Sequence, residues 1–433
     1  MTQADIGIFS TFQAWLGVFG VLATLQLHDS LISAKFDYST KMEQYCLTLA
    51  LSEFALAIMW LVLANLFAPQ FQGIMSLNQT EIDLLFVYLM FQPGVTLFQI
   101  WERFRFEYKK TVAVSVWIAI ATALLSVILV VFLADKLFGR IIGLIVPMII
   151  TGFALLCFFI WKGKRPKWSM LVYALPITLP LVPHSLSGVI LSTFDRVMIS
   201  WWCSIEAVAL YSIAYSCGMI VNILATSMNS AFGPWLGDMI TENNEKAVRS
   251  KTPPFVLLFA TLASIMVLFG PEIIWILGGS SYEEAKYVIP PVALGCMYQF
   301  LYMMYVNIEL RLKKTLGIAV ASIAAAVLNL VLNVLLIPRF GYISAAYTTA
   351  VGYAFMLIFH YLMVKRLGYQ NYYGTKFIAA VTVGMTLFVL FANFLYSNFL
   401  VRMIVILIIV IVIALLIFRK RKMILGLIRR KES

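Results

Sequence analysis

Long apolar runs joined by short polar connections are the feature that most constrains this chain. About thirteen runs, most of them roughly 18 to 27 residues long, follow one another, which is the length that an α-helix needs to cross the hydrocarbon core of a bilayer. Their predicted bounds are 5–27, 44–68, 82–100, 111–133, 138–161, 168–194, 205–235, 253–278, 284–308, 315–337, 342–365, 375–396 and 398–418. The charged fraction is 12%, about half that of a soluble protein. The sequence therefore predicts an all-α, polytopic membrane protein.

Basic residues are concentrated in alternate connections between these runs. One set of connections and the tail after residue 418 hold 26 of the 32 Lys and Arg residues. The remaining six are Lys136, Arg140, Arg196, Lys286, Arg339 and Arg402. We call the two membrane faces the basic side and the neutral side. The positive-inside rule predicts that the basic side and the C-terminus are cytoplasmic, so the net charge of +12 reflects topology and contact with anionic lipids, with no nucleic-acid partner expected.

Three short matches at one offset of 202 positions indicate an internal duplication. Gly7–Ser10 resembles Ala209–Ser212, Phe138–Ile141 resembles Phe340–Ile343, and Glu107–Lys109 resembles Glu309–Arg311. The duplication leaves the run 168–194 without a counterpart. We therefore expect a fourteen-helix design that lacks its first helix and has two pseudo-symmetric lobes. The predicted parts are an N-terminal lobe over residues 1–163, a C-terminal lobe over residues 164–367, and an appended helix pair with a basic tail over residues 368–433.

Two neighbouring runs in the middle of the chain carry unusual residues for a membrane span. Pro176, Pro180 and Pro183 interrupt the first, which indicates a kinked helix whose freed carbonyls need other donors. In the second, residues at steps of three and four give one face that is small or polar: Tyr211, Tyr215, Gly218, Asn222, Ala225 and Asn229. Such a face turns away from lipid, either to pack closely against another helix or to line a wet path.

Several segments resemble a known family. Phe194-Asp195-Arg196, Glu206–Ser212, Ser230–Pro234, Asn329–Gly341 with Ala345-Ala346, and Asp5–Phe9 are similar to helices of bacterial oligosaccharide flippases, which belong to the multidrug/oligosaccharidyl-lipid/polysaccharide exporter superfamily. The resemblance implies two six-helix lobes in a V around a central cavity. It also implies translocation of an undecaprenyl-pyrophosphate-linked oligosaccharide from the cytoplasmic to the outer leaflet of the bacterial plasma membrane by ion-coupled alternating access. The products would be O-antigen, capsule or exopolysaccharide, with a polymerase or export machinery as further partners.

Such a transporter needs basic groups for pyrophosphate and aromatic or amide groups for sugars. The candidates for substrate binding are Arg196, Asp195, Tyr211, Tyr215, Asn222, Asn229, Tyr298, Tyr302, Asn329 and Asn333. The candidates for ion coupling are Glu53, because a carboxylate within a span is costly, and His184, because histidine titrates near neutral pH. Each also has a structural explanation: an Asp-Arg pair can cap a helix, and amides, aromatic rings and histidines also serve in packing.

Three other functions remain open, and one of them, a degenerate scaffold in an export complex, is suggested by the missing first helix. A multidrug exporter of the same superfamily would have a more acidic cavity. A membrane polysaccharide polymerase or glycosyltransferase would be an enzyme with a carboxylate pair or a long loop on the neutral side. The five cysteines and three histidines show no metal-ligand spacing, so the sequence predicts neither a metal, a cofactor nor a catalytic residue.

Overall fold

A computed structural model describes residues 1–408 of the chain. Within that range the α-helices are α1 (Gln3–Thr24), α2 (Leu31–Asp37), α3 (Met42–Leu66), α4 (Ala68–Met75), α5 (Gln79–Phe104), α6 (Tyr108–Phe132), α7 (Lys136–Gly163), α8 (Trp168–Thr178), α9 (Val182–Trp202), α10 (Ile205–Thr241), α11 (Glu245–Leu268), α12 (Gly270–Gly278), α13 (Ile289–Arg311), α14 (Thr315–Phe340), α15 (Ile343–Arg366) and α16 (Thr375–Ser397). Twelve stretches of the described residues are long and apolar enough to cross a membrane. The prediction of an all-α, polytopic protein is confirmed.

Several of the predicted runs differ from the observed helices, and the run 168–194 ends too early, because α9 continues to Trp202. The run 253–278 is wrong in its bounds, because α11 ends at Leu268 and α12 is a separate helix. Pro271 lies in the first turn of α12, and a proline there cannot donate to the carbonyl of Val267. The Tyr396 hydroxyl donates to that carbonyl at 2.6 Å instead. Of the predicted run 398–418, the structure describes a helix over Phe399–Ile408, and the rest lies outside the described residues.

The proline-rich run is broken, as predicted. Helix α8 ends at Thr178, a 3-10 turn covers Leu179–Leu181, and α9 follows from Val182. Pro180 and Pro183 each lie in the first turn of their element, where the missing N–H costs nothing because that donor would have no intrahelical partner. The break therefore divides one membrane crossing into two helical segments.

The chain divides into two compact units. Unit 1 comprises Met1–Ile213 and Glu309–Met363, and unit 2 comprises Ala214–Ile308 and the chain from Val364. The boundaries fall inside α10, α13 and α15, so each of these helices contributes to both units. The lobe boundaries after residues 163 and 367 stay a prediction.

Aromatic side chains fill the core of unit 1, where α1 packs against its neighbours. Phe19 lies 5.1 Å from Trp60 and 5.0 Å from Phe86 between ring centroids. Helices α5 and α7 approach closely at Gly152, which has no Cβ. A Cβ added there would lie 2.1 Å from the Phe91 carbonyl oxygen. Close backbone contact at small residues is the usual way that helices associate in lipid.

Unit 2 has an aromatic core of its own. The rings of Phe259 and Phe300 stack with centroids 4.3 Å apart, which joins α11 to α13. The Tyr373 hydroxyl, in the turn before α16, donates to the Met304 carbonyl at 2.7 Å. These contacts fix the start of α16 against α13.

Candidate functional site

Asp195 and Arg196 form a buried ion pair inside α9. The guanidinium Nη1 lies 3.1 Å from Asp195 Oδ1 and also donates to the Ser192 carbonyl at 3.1 Å. The Tyr211 hydroxyl, on α10, donates to Asp195 Oδ2, and the Arg196 guanidinium lies 5.7 Å from the centre of the Tyr211 ring. Asp195 is 1% exposed and Arg196 is 9% exposed. The pair lies within the helix and does not cap its end.

A second group of polar side chains joins α14 to α15 in the same unit. Asn329 donates through Nδ2 to the Thr349 hydroxyl at 3.3 Å, and Asn333 donates to Asn329 Oδ1 at 3.2 Å. The Thr348 hydroxyl donates to Asn333 Oδ1. All four side chains are buried. The two asparagines are predicted candidates, whereas Thr348 and Thr349 are not; their signal in the sequence is their place just beyond Tyr347, which follows the Ala345-Ala346 motif.

These two groups lie at the same level of unit 1. A Cβ at Gly352 on α15 would lie 2.9 Å from Leu191 Cδ1 on α9 and 3.8 Å from Asn329 Cβ on α14. Successive spans cross a membrane in alternate directions, and α9, α14 and α15 belong to the sixth, tenth and eleventh spans, so α9 and α14 run in the same direction and α15 in the opposite one. One helical turn further along, on the same side of that contact, α9 carries Asp195, α14 carries Asn333 and α15 carries Thr348. These three residues therefore lie at a similar level.

We call this set the Asp195 cluster: Asp195, Arg196, Tyr211, Asn329, Asn333, Thr348 and Thr349. It contains a carboxylate, amide oxygens and hydroxyls, which are the oxygen ligands that suit a hard cation or a mobile proton. A charged group inside a membrane protein is costly and commonly marks a functional pathway. The cluster is thus the strongest candidate for a functional site in unit 1.

The other predicted binding residues lie in unit 2, along the contact between α10 and α13. Asn222 donates to Gln299 Oε1 at 2.6 Å, and Asn229 accepts from Asn307 Nδ2 at 2.7 Å. A Cβ at Gly218 would lie 2.3 Å from Val292, so the two helices touch there. The polar face of α10 therefore packs against α13 at these positions.

Three predicted tyrosines of unit 2 lie beside this contact. Tyr298 shares a hydrogen bond of 2.7 Å with Thr386 on α16, and Tyr302 is hydrogen-bonded with Gln299. Tyr215, on α10, is half-buried. Their role in substrate binding stays a prediction, as does that of Asn222 and Asn229.

Glu53 has a partner that the sequence analysis missed. Its side chain is 1% exposed, and Oε1 lies 3.6 Å from His28 Nδ1, too far for a hydrogen bond. Both carboxylate oxygens lack a hydrogen-bond partner in the described part of the chain. Burial lowers the pKa of His28, but the Glu53 and Asp29 carboxylates together raise it by more, so the pKa lies above its ordinary value.

Two further histidines have different surroundings. His184, the other predicted coupling residue, is half-buried in the first turn of α9, and its Nδ1 has no hydrogen-bond partner within residues 1–408. His360 was not singled out, yet its Nδ1 lies 2.8 Å from Glu309 Oε1, and both side chains are fully buried. A carboxylate and a histidine thus meet twice in unit 1, at positions that sequence spacing does not connect.

Comparison with known families decides what kind of protein this is. Residues 1–240, more than half of the chain, match the family described as polysaccharide biosynthesis protein. The chain belongs to that family. Residues 180–335 also match the MatE family. The resemblance indicated by the sequence motifs is confirmed.

Two curated relatives match part of the chain. An uncharacterized membrane protein of Methanocaldococcus jannaschii is 29% identical over 209 residues, which are 46% of this chain and 40% of the relative. The probable low-salt glycan biosynthesis flippase Agl15 of Haloferax volcanii is 28% identical over 185 residues, which are 41% of this chain and 39% of the relative. The matches thus span about two fifths of the length of these relatives.

Two solved structures share the fold. The lipid II flippase MurJ in an inward closed conformation has a TM-score of 0.66 at 13% identity, over 98% of both chains. An inward-facing multidrug resistance MATE family transporter has a TM-score of 0.66 at 12% identity, over 84% of this chain and 92% of the transporter. At these identities the likeness shows the fold alone. It confirms the predicted fold class, with twelve spans among the described residues where about thirteen were predicted.

Proposed function

We propose that this chain is a flippase that moves a lipid-linked oligosaccharide repeat unit, carried on undecaprenyl pyrophosphate, from the cytoplasmic to the outer leaflet by alternating access. The observation that carries the proposal is the polysaccharide biosynthesis match over residues 1–240, which includes the buried Asp195–Arg196 pair. A relative named as a glycan biosynthesis flippase supports a glycan cargo. In this proposal the protein is a transporter and not an enzyme.

The candidate residues divide the work by their chemistry. Arg196 is the group for pyrophosphate, because a guanidinium binds phosphate oxygens through two donors at once. Tyr211, Tyr215, Tyr298 and Tyr302 supply rings and hydroxyls for sugars, and Asn222, Asn229, Asn329 and Asn333 supply amides. In the observed arrangement many of these groups bond to one another, so substrate binding would require them to exchange partners.

The buried acidic groups are the proposed sites of ion coupling. Asp195 is bonded to Arg196 and the Tyr211 hydroxyl, and Glu53 lies beside His28, so either carboxylate could gain and lose a proton or a sodium ion as the transporter changes state. His184 remains a further coupling candidate through its unpartnered Nδ1. Coupling would drive the cycle in one direction.

The cellular setting is part of the same proposal. The multi-pass chain would lie in the plasma membrane with its basic side and C-terminus in the cytoplasm, and would serve O-antigen, capsule or exopolysaccharide assembly beside a polymerase or export machinery. The two curated relatives come from archaea, so the bacterial assignment rests on the sequence motifs.

Multidrug export is the second candidate, and the MatE match over residues 180–335 favours it. A polymerase or glycosyltransferase is less favoured, because Glu272 and Glu283 on the neutral side are each paired with a cation, Arg402 and Lys286. A nearby cation favours the charged form of a carboxylate, so an ion-paired carboxylate is poorly suited to donate a proton as a general acid.

Complementation tests the proposed function. The chain is expressed in a strain that lacks its own repeat-unit flippase and is supplied with a matching sugar pathway, and surface polysaccharide is measured. Restored polysaccharide with unchanged drug resistance is expected. Failure to restore it by an inserted protein, together with increased drug resistance, would favour the exporter.

A further inference from the structure

A groove on the surface of unit 1 lies where α8 diverges from α3. Its wall is formed by Leu25 and Leu27, by α3 from Thr48 to Met59, and by the segment from Pro166 to Leu175. Its volume is about 710 Å³. It lies next to the proline break, since α8 ends at Thr178 and the turn at Leu179–Leu181 follows.

The groove is bordered by one face of each helix. On α3 the lining residues Thr48, Ser52, Ala55 and Met59 recur at steps of four and three, and on the other side Trp168, Leu171 and Leu175 do the same. The small side chains of Ser52 and Ala55 leave space in the middle of the groove. The groove thus follows one face of each helix, a course that an extended hydrocarbon chain can take.

The wall of the groove is apolar in effect, even where its residues are polar. The Ser52 hydroxyl donates to the Thr48 carbonyl at 2.8 Å, and the Thr48 hydroxyl donates to the Gln44 carbonyl at 2.8 Å. Thr48 Oγ1 also accepts from the Lys167 backbone N–H at 3.0 Å. The hydroxyls are thus committed to backbone groups, and the leucines and Met59 provide the contact surface.

The length and charge of the groove suit a lipid in one leaflet. From Thr48 to Met59 the helix rises about 16 Å, close to half of a hydrocarbon core of about 30 Å. At the end on the basic side lie Lys167 and Trp168, both exposed. A lysine and a tryptophan at this level are typical of the membrane interface, where the ammonium group meets lipid phosphate.

We propose that this groove binds the polyprenyl chain of the lipid-linked substrate, with Lys167 meeting the phosphate at the leaflet on the basic side. The proposal rests on the proposed function for the identity of the lipid. In this proposal the lipid tail enters beside the proline break, and α8, the first segment of the broken helix, forms one wall of its entry path.

Photocrosslinking tests the groove without transport. The full chain in nanodiscs carries a photoreactive residue in place of Leu56, and the matched control carries it in place of Ile120, which is exposed on α6. The probe is undecaprenyl monophosphate, with phosphatidylglycerol as competitor. Labelling at Leu56 that exceeds labelling at Ile120 and resists excess phosphatidylglycerol is expected. Equal labelling at both positions, or displacement by phosphatidylglycerol, would overturn the proposal.

Two pairs of variants sharpen the test. Ala55→Trp fills the groove, and Ala119→Trp on the exposed face of α6 is its control. Lys167→Glu reverses the charge at the mouth, and Lys162→Glu, whose ammonium lies over the Trp161 ring, is its control. Labelling at Leu56 should fall to the level at Ile120 in Ala55→Trp and Lys167→Glu, and should persist in both controls. Unchanged labelling in Lys167→Glu contradicts the phosphate contact.

The two proposals fail in different ways. Absent labelling in a chain that still complements overturns the groove and leaves the flippase function standing. Labelling at Leu56 in a chain that does not complement supports the groove while the proposed function fails.

Discussion

Asp195 and Arg196 are the residues whose burial most demands an explanation. Removing one member of a buried ion pair leaves the other charge uncompensated, which costs about 3 to 5 kcal/mol. We expect Arg196→Ala to insert into the membrane normally, to lose several kcal/mol of stability and to lose transport. Thermal unfolding in detergent and the complementation assay measure the two effects.

The double variant Asp195→Asn/Arg196→Ala separates a structural role from a transport role. It removes both charges and leaves an amide that can still accept from Tyr211. We expect stability to recover while transport stays lost. Recovery of both stability and transport would show that the pair serves the fold alone.

His28 and Glu53 predict a pH dependence of stability. Because Glu53 and, to a lesser extent, Asp29 raise the pKa of His28, this stabilisation is complete below the ordinary value of 6.5 and is lost as pH rises through the raised pKa. Glu53→Gln should therefore lower the melting temperature most at about pH 6 and least at about pH 8.5. His28→Gln should flatten the same dependence, and a slope unchanged in Glu53→Gln would contradict the assignment.

Single residues were predictable where their type is rare in a membrane span. Asp195, Arg196 and Glu53 stand out from the sequence for that reason. Their partners do not, because contacts between helices join distant positions: Glu309 and His360 are 51 positions apart, and Asn333 and Thr348 are 15 apart. Local spacing carries no information about which helices are neighbours.

At the scale of elements, α5 and α7 depend on close backbone contact. A Cβ at Gly152 would lie 2.1 Å from the Phe91 carbonyl oxygen, so Gly152→Ala must push the helices apart, at a cost of about 1 to 3 kcal/mol. Gly20→Ala on α1 is the control, because nothing lies within 4 Å of its added Cβ. Thermal unfolding should show a loss only for Gly152→Ala. Equal stability of the two variants would contradict the close contact.

The ends of helices were predictable where prolines clustered in the sequence. Three prolines close together predicted the break between α8 and α9. The single Pro271 between α11 and α12 did not, because apolar residues continue on both sides of it. The polar face of α10 predicted that it turns away from lipid, but both packing and a wet path satisfy that pattern, and the structure shows packing against α13 at Gly218, Asn222 and Asn229.

At the scale of the whole molecule, Cys203 reports the orientation in the membrane. It is exposed between α9 and α10 on the neutral side, whereas the other four cysteines lie within predicted spans. If the neutral side faces outward, a membrane-impermeant maleimide should label intact cells, and Cys203→Ser should abolish that labelling. Burial raises the pKa of Cys203, so labelling should accelerate as pH rises. Labelling only after the cells are opened would reverse the proposed topology.

The measurement that tests the central claim most directly follows a lipid-linked oligosaccharide across a bilayer. The full chain is reconstituted in vesicles with a fluorescent polyprenyl-pyrophosphate oligosaccharide in one leaflet, and an impermeant quencher reports its arrival in the other. We predict that the wild-type chain transfers the lipid and that Arg196→Ala does so far more slowly. Transfer no faster than in protein-free vesicles, by a folded and inserted chain, would contradict the account.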